Sequence, residues 1–167
     1  MDLIIALAQQ RKHNLKKEAN KKQQDQISYW LFAAWLVSMA ATLGALFIGE
    51  VLGQTPCVLC WYQRIAMFPL AWILVVGCLT NSRQAVVYAL PLALTGSVIA
   101  LWHSLLYAGI VEKPLVPCEQ NGPSCTDSAM LTVGELPIPY LSFASFTAII
   151  FLLGVFYFNH RSSETNS

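Results

Sequence analysis

Residues 27–48 read ISYWLFAAWLVSMAATLGALFI, twenty-two positions without one charged side chain. At 1.5 Å of rise per residue, a helix of this length covers the ~30 Å hydrocarbon core of a bilayer. Ala41, Ala45 and Gly49 recur along it at four-residue spacing, which lets a neighbouring element approach closely. Three more stretches follow the same pattern. The second runs from about Trp61 to Leu79, with Gln63 and Arg64 near its start. The third covers 84–107 and contains Pro91 and His103, and the fourth covers 141–158. Pro69 and Pro91 inside spans are tolerable where neighbouring helices re-satisfy the freed carbonyls. Over all 167 residues, 56% are hydrophobic and 11% charged, against about 25% charged in a soluble domain. A small soluble protein could not hide this much apolar surface.

Lysine and arginine placement sets the expected orientation. Arg11, Lys12, Lys16, Lys17, Lys21 and Lys22 lie before the first span, Arg83 lies between the second and third, and Arg161 follows the fourth. On the other side are Lys113 and, at the membrane boundary, Arg64. The expected fold is therefore an all-α membrane protein, a four-transmembrane-helix bundle with both termini cytoplasmic. The outward loops are 49–60 and 108–140, and each carries a pair of cysteines. Trp61, Tyr62, Trp102, Tyr107 and Tyr140 fall near the outer interface, where amphipathic rings prefer to sit. Residues 1–26 form a polar N-terminal tail, expected to be frayed or surface-lying. The sharper alternative is an interfacial amphipathic helix with Leu3, Ile4 and Leu7 touching lipid. Residues 159–167 form the C-terminal tail. The basic residues are confined to short terminal and connecting segments, so nothing points to a nucleic-acid partner.

Four of the five cysteines form two close pairs on the outward side, where disulfides form and persist. Cys57-Val58-Leu59-Cys60 follows Pro56 and precedes an apolar run, which marks a helix start. Cysteines at i and i+3 share a helix face, and the positive end of the helix is expected to stabilise a thiolate, lower its pKa and make the pair exchange-competent. Arg64 lies one turn further along that stripe. A guanidinium inside a hydrophobic span is a functional candidate; the plainer reading is an arginine snorkelling to head groups. His103 should sit at similar depth on the third span, so both side chains are expected to line one pocket beneath the cysteines; the plainer reading of His103 is a hydrogen bond to a neighbouring helix. A cation and a histidine in an apolar, lipid-accessible pocket suit a quinone, whose oxygens gain negative charge and then protons on reduction. Six residues separate Cys118 from Cys125, with Asn121-Gly122-Pro123 as a turn signal. A small ring in this proline-rich loop is expected to be exposed and easily reduced, or else a simple staple. Cys78 reads as an inert packed thiol.

The string Pro56-Cys57-Val58-Leu59-Cys60-Trp61-Tyr62-Gln63-Arg64, the Trp102-His103 pair and the paired loop cysteines resemble the DsbB-like bacterial disulfide bond formation proteins over residues 28–158. The short spacing of Cys118 and Cys125 resembles the short-looped, BdbC-type branch, while the N-terminal extension is longer than that family leads one to expect. The resemblance implies a membrane oxidoreductase of the bacterial inner membrane that reoxidises a thioredoxin-fold thiol oxidase of the DsbA/BdbD kind. That partner would attack the Cys118–Cys125 disulfide, with Cys118 forming the mixed disulfide, and exchange would carry oxidising equivalents there from Cys57–Cys60. Electrons would leave Cys57–Cys60 for the membrane quinone pool, ubiquinone or menaquinone, with Cys60 as the thiolate beside the ring and Arg64 and His103 in its pocket.

Three other readings are set against this one. A vitamin K epoxide reductase-like quinone reductase shares the plan, but carries its C-x-x-C in the last span of the bundle. A four-cysteine zinc site is disfavoured by the spacing of Cys118 and Cys125 and by an oxidising compartment. A scaffold with stapled loops leaves Arg64 and His103 as unexplained costs.

Overall fold

The computed structural model describes residues 2–80, 82–111, 132–133 and 136–165. Cys118 and Cys125, and what is expected of them, lie outside the described residues. Four helices dominate: α1 (Asp2–Leu46), α2 (Val58–Thr80), α3 (Arg83–Tyr107) and α4 (Ile138–Thr165). A π-helical segment, Phe47–Val51, continues α1. Ahead of α4, β1 (Thr132–Val133) and β2 (Leu136–Pro137) form a minimal antiparallel pair.

Four stretches are long and apolar enough to cross a membrane: Ser28–Val51, which joins α1 to the π-helical segment, then Val58–Thr80, Gln84–Tyr107 and Ile138–Asn159. The second begins three residues earlier than the hydropathy pattern suggests, because the helix starts directly after Pro56-Cys57. The largest departure lies at the N-terminus. The stretch expected to be a frayed or surface-lying tail is helical and continuous with the first span, so it is not frayed. No proline or glycine interrupts the chain before Gly44, and the polar stretch is rich in Lys, Gln and Ala, which propagate helix well. The lipid contact considered for Leu3, Ile4 and Leu7 concerns side chains outside those described.

The helices pack as a ring, α1 on α2, α2 on α3, α3 on α4 and α4 back on α1. Ser82 supports the tight α2–α3 turn: its Oγ accepts from the Gln84 N–H at 3.2 Å and caps α3. Leu31 and Ala34 of α1, Leu70 and Leu74 of α2, Val86, Ala89 and Ala93 of α3, and Phe146, Ile149 and Leu153 of α4 fill the core. Cys78 is half-buried against it, as expected of a packed thiol. Small residues set the closest approaches. A Cβ on Gly77 would lie 2.6 Å from that of Ala85, and one on Gly96 would collide with the Phe146 ring. Large apolar side chains such as Trp72, Leu79, Val98 and Phe151 point outward and are exposed. On a soluble protein they would be a liability; on a span they face acyl chains.

A second, smaller cluster gathers Cys57, Leu59 and Leu106, with Cys60, Ile99, Trp102 and Val111 against it. At the same end, Tyr107 meets Tyr140 edge-on, ring centroids 5.8 Å apart, joining the end of α3 to the start of α4.

Candidate functional site

The site is built on the first turns of α2. Gly53 adopts φ 64°, a left-handed conformation that glycine takes without strain, and the chain turns there from the end of α1 toward Pro56. Cys57 stands one residue ahead of α2. Its carbonyl accepts the Trp61 N–H at 3.1 Å, and its Sγ accepts the Cys60 N–H at 3.4 Å. The thiol thus occupies the place a serine or threonine hydroxyl takes at a helix start.

The two sulfurs face each other at 2.8 Å, not joined by a disulfide. Cys57 is buried and Cys60 half-buried. Cys57 Sγ also lies 3.8 Å from Nε2 of His103, which is fully buried on α3. The other ring nitrogen, Nδ1, lies 3.0 Å from Nε2 of Gln63, itself buried. Gln63 is the residue that sequence reasoning left without a role. Its signal was an amide one turn beyond Cys60, on a span where a buried polar side chain needs a partner.

The thiolate expected at the helix start is not that of Cys57. Its thiol is pushed up to about 12, first by the hydrogen bond with Cys60, then by burial, while the contact with His103 works the other way. Only one of two adjacent thiols can readily give up its proton, and Cys57 is the one that retains it.

Arg64 is anchored to α1. Its Nη2 donates to the Ala45 carbonyl at 2.7 Å, beside the junction where α1 becomes π-helical, and its guanidinium lies 5.6 Å from the centroid of the Trp61 ring. A Cβ on Gly49 would lie 3.1 Å from Nη1 and 3.2 Å from Nη2. The small-residue stripe thus admits a side chain of α2. The hydrogen bonds do not bring Arg64 and His103 into one shared cluster: Arg64 is held by α1, whereas His103 is held by Gln63 and Cys57. The sequence places Trp102 at the outer interface and beside His103, without a role of its own in the site. Trp102 packs against the cysteine cluster with its Nε1–H buried and, among the described residues, without a partner.

The Cys57, Cys60 and His103 donor atoms lie within 4.8 Å of one another. Two sulfurs around one tetrahedral zinc sit about 3.8 Å apart, given Zn–S bonds of ~2.3 Å. At 2.8 Å this pair is closer than a metal would hold it, and the arrangement suits sulfur–sulfur exchange. The orphaned Trp102 N–H, by contrast, offers a buried donor to a carbonyl-bearing molecule beside the cysteines, which fits a quinone.

A four-helix membrane bundle with an adjacent dithiol at one helix start, backed by a buried histidine, defines a multi-pass membrane protein of thiol–disulfide chemistry. The family model for the disulfide bond formation protein DsbB matches residues 27–158, and the chain belongs to this family. It is similar to a probable disulfide formation protein of Metapseudomonas resinovorans, 48% identical over 74% of this chain and 85% of that one. It is also similar to disulfide bond formation protein C of Bacillus subtilis, 34% identical over 74% of this chain and 89% of that one. A probable disulfide formation protein C 2 of Bacillus anthracis is 36% identical over 83% and 95%. No solved structure matches at a comparable significance. The family places the protein in disulfide bond formation at a membrane.

Proposed function

We propose that the protein reoxidises an extracytoplasmic thioredoxin-fold thiol oxidase of the DsbA/BdbD kind and delivers the electrons to a membrane quinone, ubiquinone or menaquinone. In this reading it lies in the bacterial cytoplasmic (inner) membrane among its lipids. The polar stretch 1–26 and the end 159–167 are cytoplasmic, and the membrane domain 27–158 turns loops 49–60 and 108–140 outward. The observation that carries the proposal is the close Cys57–Cys60 dithiol, in contact with a buried histidine and packed with a Trp102 whose buried N–H has no partner among the described residues.

The partner's thiolate attacks the Cys118–Cys125 disulfide at Cys118, and Cys125 leaves as the thiol; the partner's second thiol then attacks this mixed disulfide, which completes the partner's disulfide and frees Cys118. Exchange with Cys57–Cys60 restores the loop disulfide and reduces the helix-start pair. Because Cys57 retains its proton, Cys60 supplies the thiolate. Arg64, His103, Cys60 and Trp102 would hold the quinone, which supplies a two-electron acceptor when bound. The positive charge of Arg64 favours the reduced state. Anchorage of its guanidinium to Ala45 keeps that charge in place without a rearrangement.

The deciding experiment adds quinone to the purified protein and follows oxidation of a reduced thioredoxin-fold oxidant. Partner disulfide and quinol should appear in equal amounts. Oxidation that proceeds at the same rate without quinone, or not at all with it, would overturn the proposal.

A further inference from the structure

We infer that Gln63 is a positioning residue for the thiol step: its amide on Nδ1 of His103 sets which ring nitrogen carries the proton, and so lets Nε2 exchange a proton with Cys57. The inference deepens the proposed reading by naming how the buried thiol of the helix-start pair is deprotonated.

The geometry is a line of three buried groups. Gln63 Nε2 lies 3.0 Å from His103 Nδ1, and His103 Nε2 lies 3.8 Å from Cys57 Sγ. In neutral imidazole one nitrogen donates and the other accepts, and the partner of one decides the role of the other. A glutamine amide carries both an NH2 and a carbonyl, and a half-turn of its end exchanges them with little change in shape. With the NH2 toward Nδ1, Nε2–H donates to a Cys57 thiolate. With the carbonyl toward Nδ1–H, the Nε2 lone pair can take the proton of the Cys57 thiol, giving thiolate and imidazolium. A neutral amide accommodates both states. A carboxylate at this position would favour the imidazolium, and a side chain with no polar end would support neither state.

The balance is simple. Oxidation of the pair joins Cys57 and Cys60 through a new sulfur–sulfur bond and releases two electrons and two protons to the acceptor, the quinone of the proposed reading. One of those protons is the one that passes from Cys57 to His103. Among the described residues, the ionisable groups acting on Cys57 are Cys60 in the first turn of α2 and His103 from α3; α1 and α4 contribute none. Arg64 is turned to the Ala45 carbonyl.

The test needs no quinone and no partner protein, so its failure is separate from failure of the proposed function. In the full chain carrying Cys60→Ser, Cys78→Ser, Cys118→Ser and Cys125→Ser, Cys57 is the only thiol left. Its reaction with iodoacetamide is followed in detergent from about pH 6 to about pH 11, a range that spans the ordinary thiol pKa. Adding Gln63→Glu should shift the profile about one pH unit lower, a rate about tenfold higher on its rising limb. Gln63→Met and His103→Ala should shift it upward. A purely structural role would move the Glu and Met variants in the same direction or not at all, and either result overturns the inference. Gln63→Glu keeps the shape of the side chain, so its profile decides the matter if Gln63→Met fails to fold.

Discussion

Gly49 and Arg64 compete for one volume: the guanidinium of Arg64 occupies the space that a side chain on Gly49 would fill, with Nη1 3.1 Å and Nη2 3.2 Å from that missing Cβ. The position of the site's fixed positive charge therefore depends on a hydrogen atom fifteen residues earlier in the chain. Gly49→Ala asks the flexible end of Arg64 to yield by a few tenths of an ångström, whereas Gly49→Val displaces it. Loss of a charged hydrogen bond is worth about 1.5–3 kcal/mol, and about 1.4 kcal/mol corresponds to tenfold in affinity. The apparent KM for quinone should rise about tenfold in Gly49→Val and at least as much in Arg64→Ala, with a smaller rise in Gly49→Ala. Steady-state oxidation at varied quinone concentration measures this. Unaltered quinone kinetics in all three would return Arg64 to a boundary residue that serves head groups.

Cys118→Ala separates the two halves of the relay. Cys57–Cys60 should still be oxidised by quinone, as gel-shift alkylation of the free thiols would report, while oxidation of the thioredoxin-fold partner falls to the background rate. Partner oxidation at the parent rate would remove the loop pair from the mechanism.

Alkaline pH should destabilise the reduced protein specifically. Cys57 holds its proton to about 12 in the folded state, against an ordinary value near 9.0. The folded state then binds a proton that the unfolded chain releases, so stability is complete below about pH 9 and is lost as pH rises toward about 12. The midpoint of thermal unfolding of the reduced protein should fall across this window more steeply than that of Cys57→Ser. Parallel curves would mean that Cys57 ionises at its ordinary pH.

Gly96 tests the packing of the bundle. A methyl group there meets the Phe146 ring, whereas nothing lies within 4 Å of a Cβ on Gly154. Gly96→Ala should cost about 1–3 kcal/mol through overpacking between α3 and α4. Gly154→Ala should be neutral or stabilising by up to about 1 kcal/mol, because alanine is the better helix former. Unfolding midpoints in detergent give both values, and equal effects at the two positions would contradict the α3–α4 register.

Hydropathy and charge are properties of consecutive residues, and the sequence alone therefore determined the four spans, the start of a helix after Pro56-Cys57 and the i, i+3 pairing of Cys57 with Cys60. The same local logic pointed to Arg64 and His103, because charged or titratable groups inside apolar runs stand out wherever they face. It left residues 2–26 as a frayed or surface-lying tail, and the fraying failed because nothing in that stretch breaks a helix. What the tertiary structure decided is which side of each helix meets which neighbour. Gln63 and His103 are 40 residues apart, Cys57 and His103 46 apart, and Ala45 and Arg64 19 apart. Adjacent on α2, Gln63 and Arg64 point to different neighbours, one to α3 and the other to α1. That division follows from the 3.6-residue turn of the helix and from the rotation imposed on α2 by its packing, which no local pattern of residues encodes.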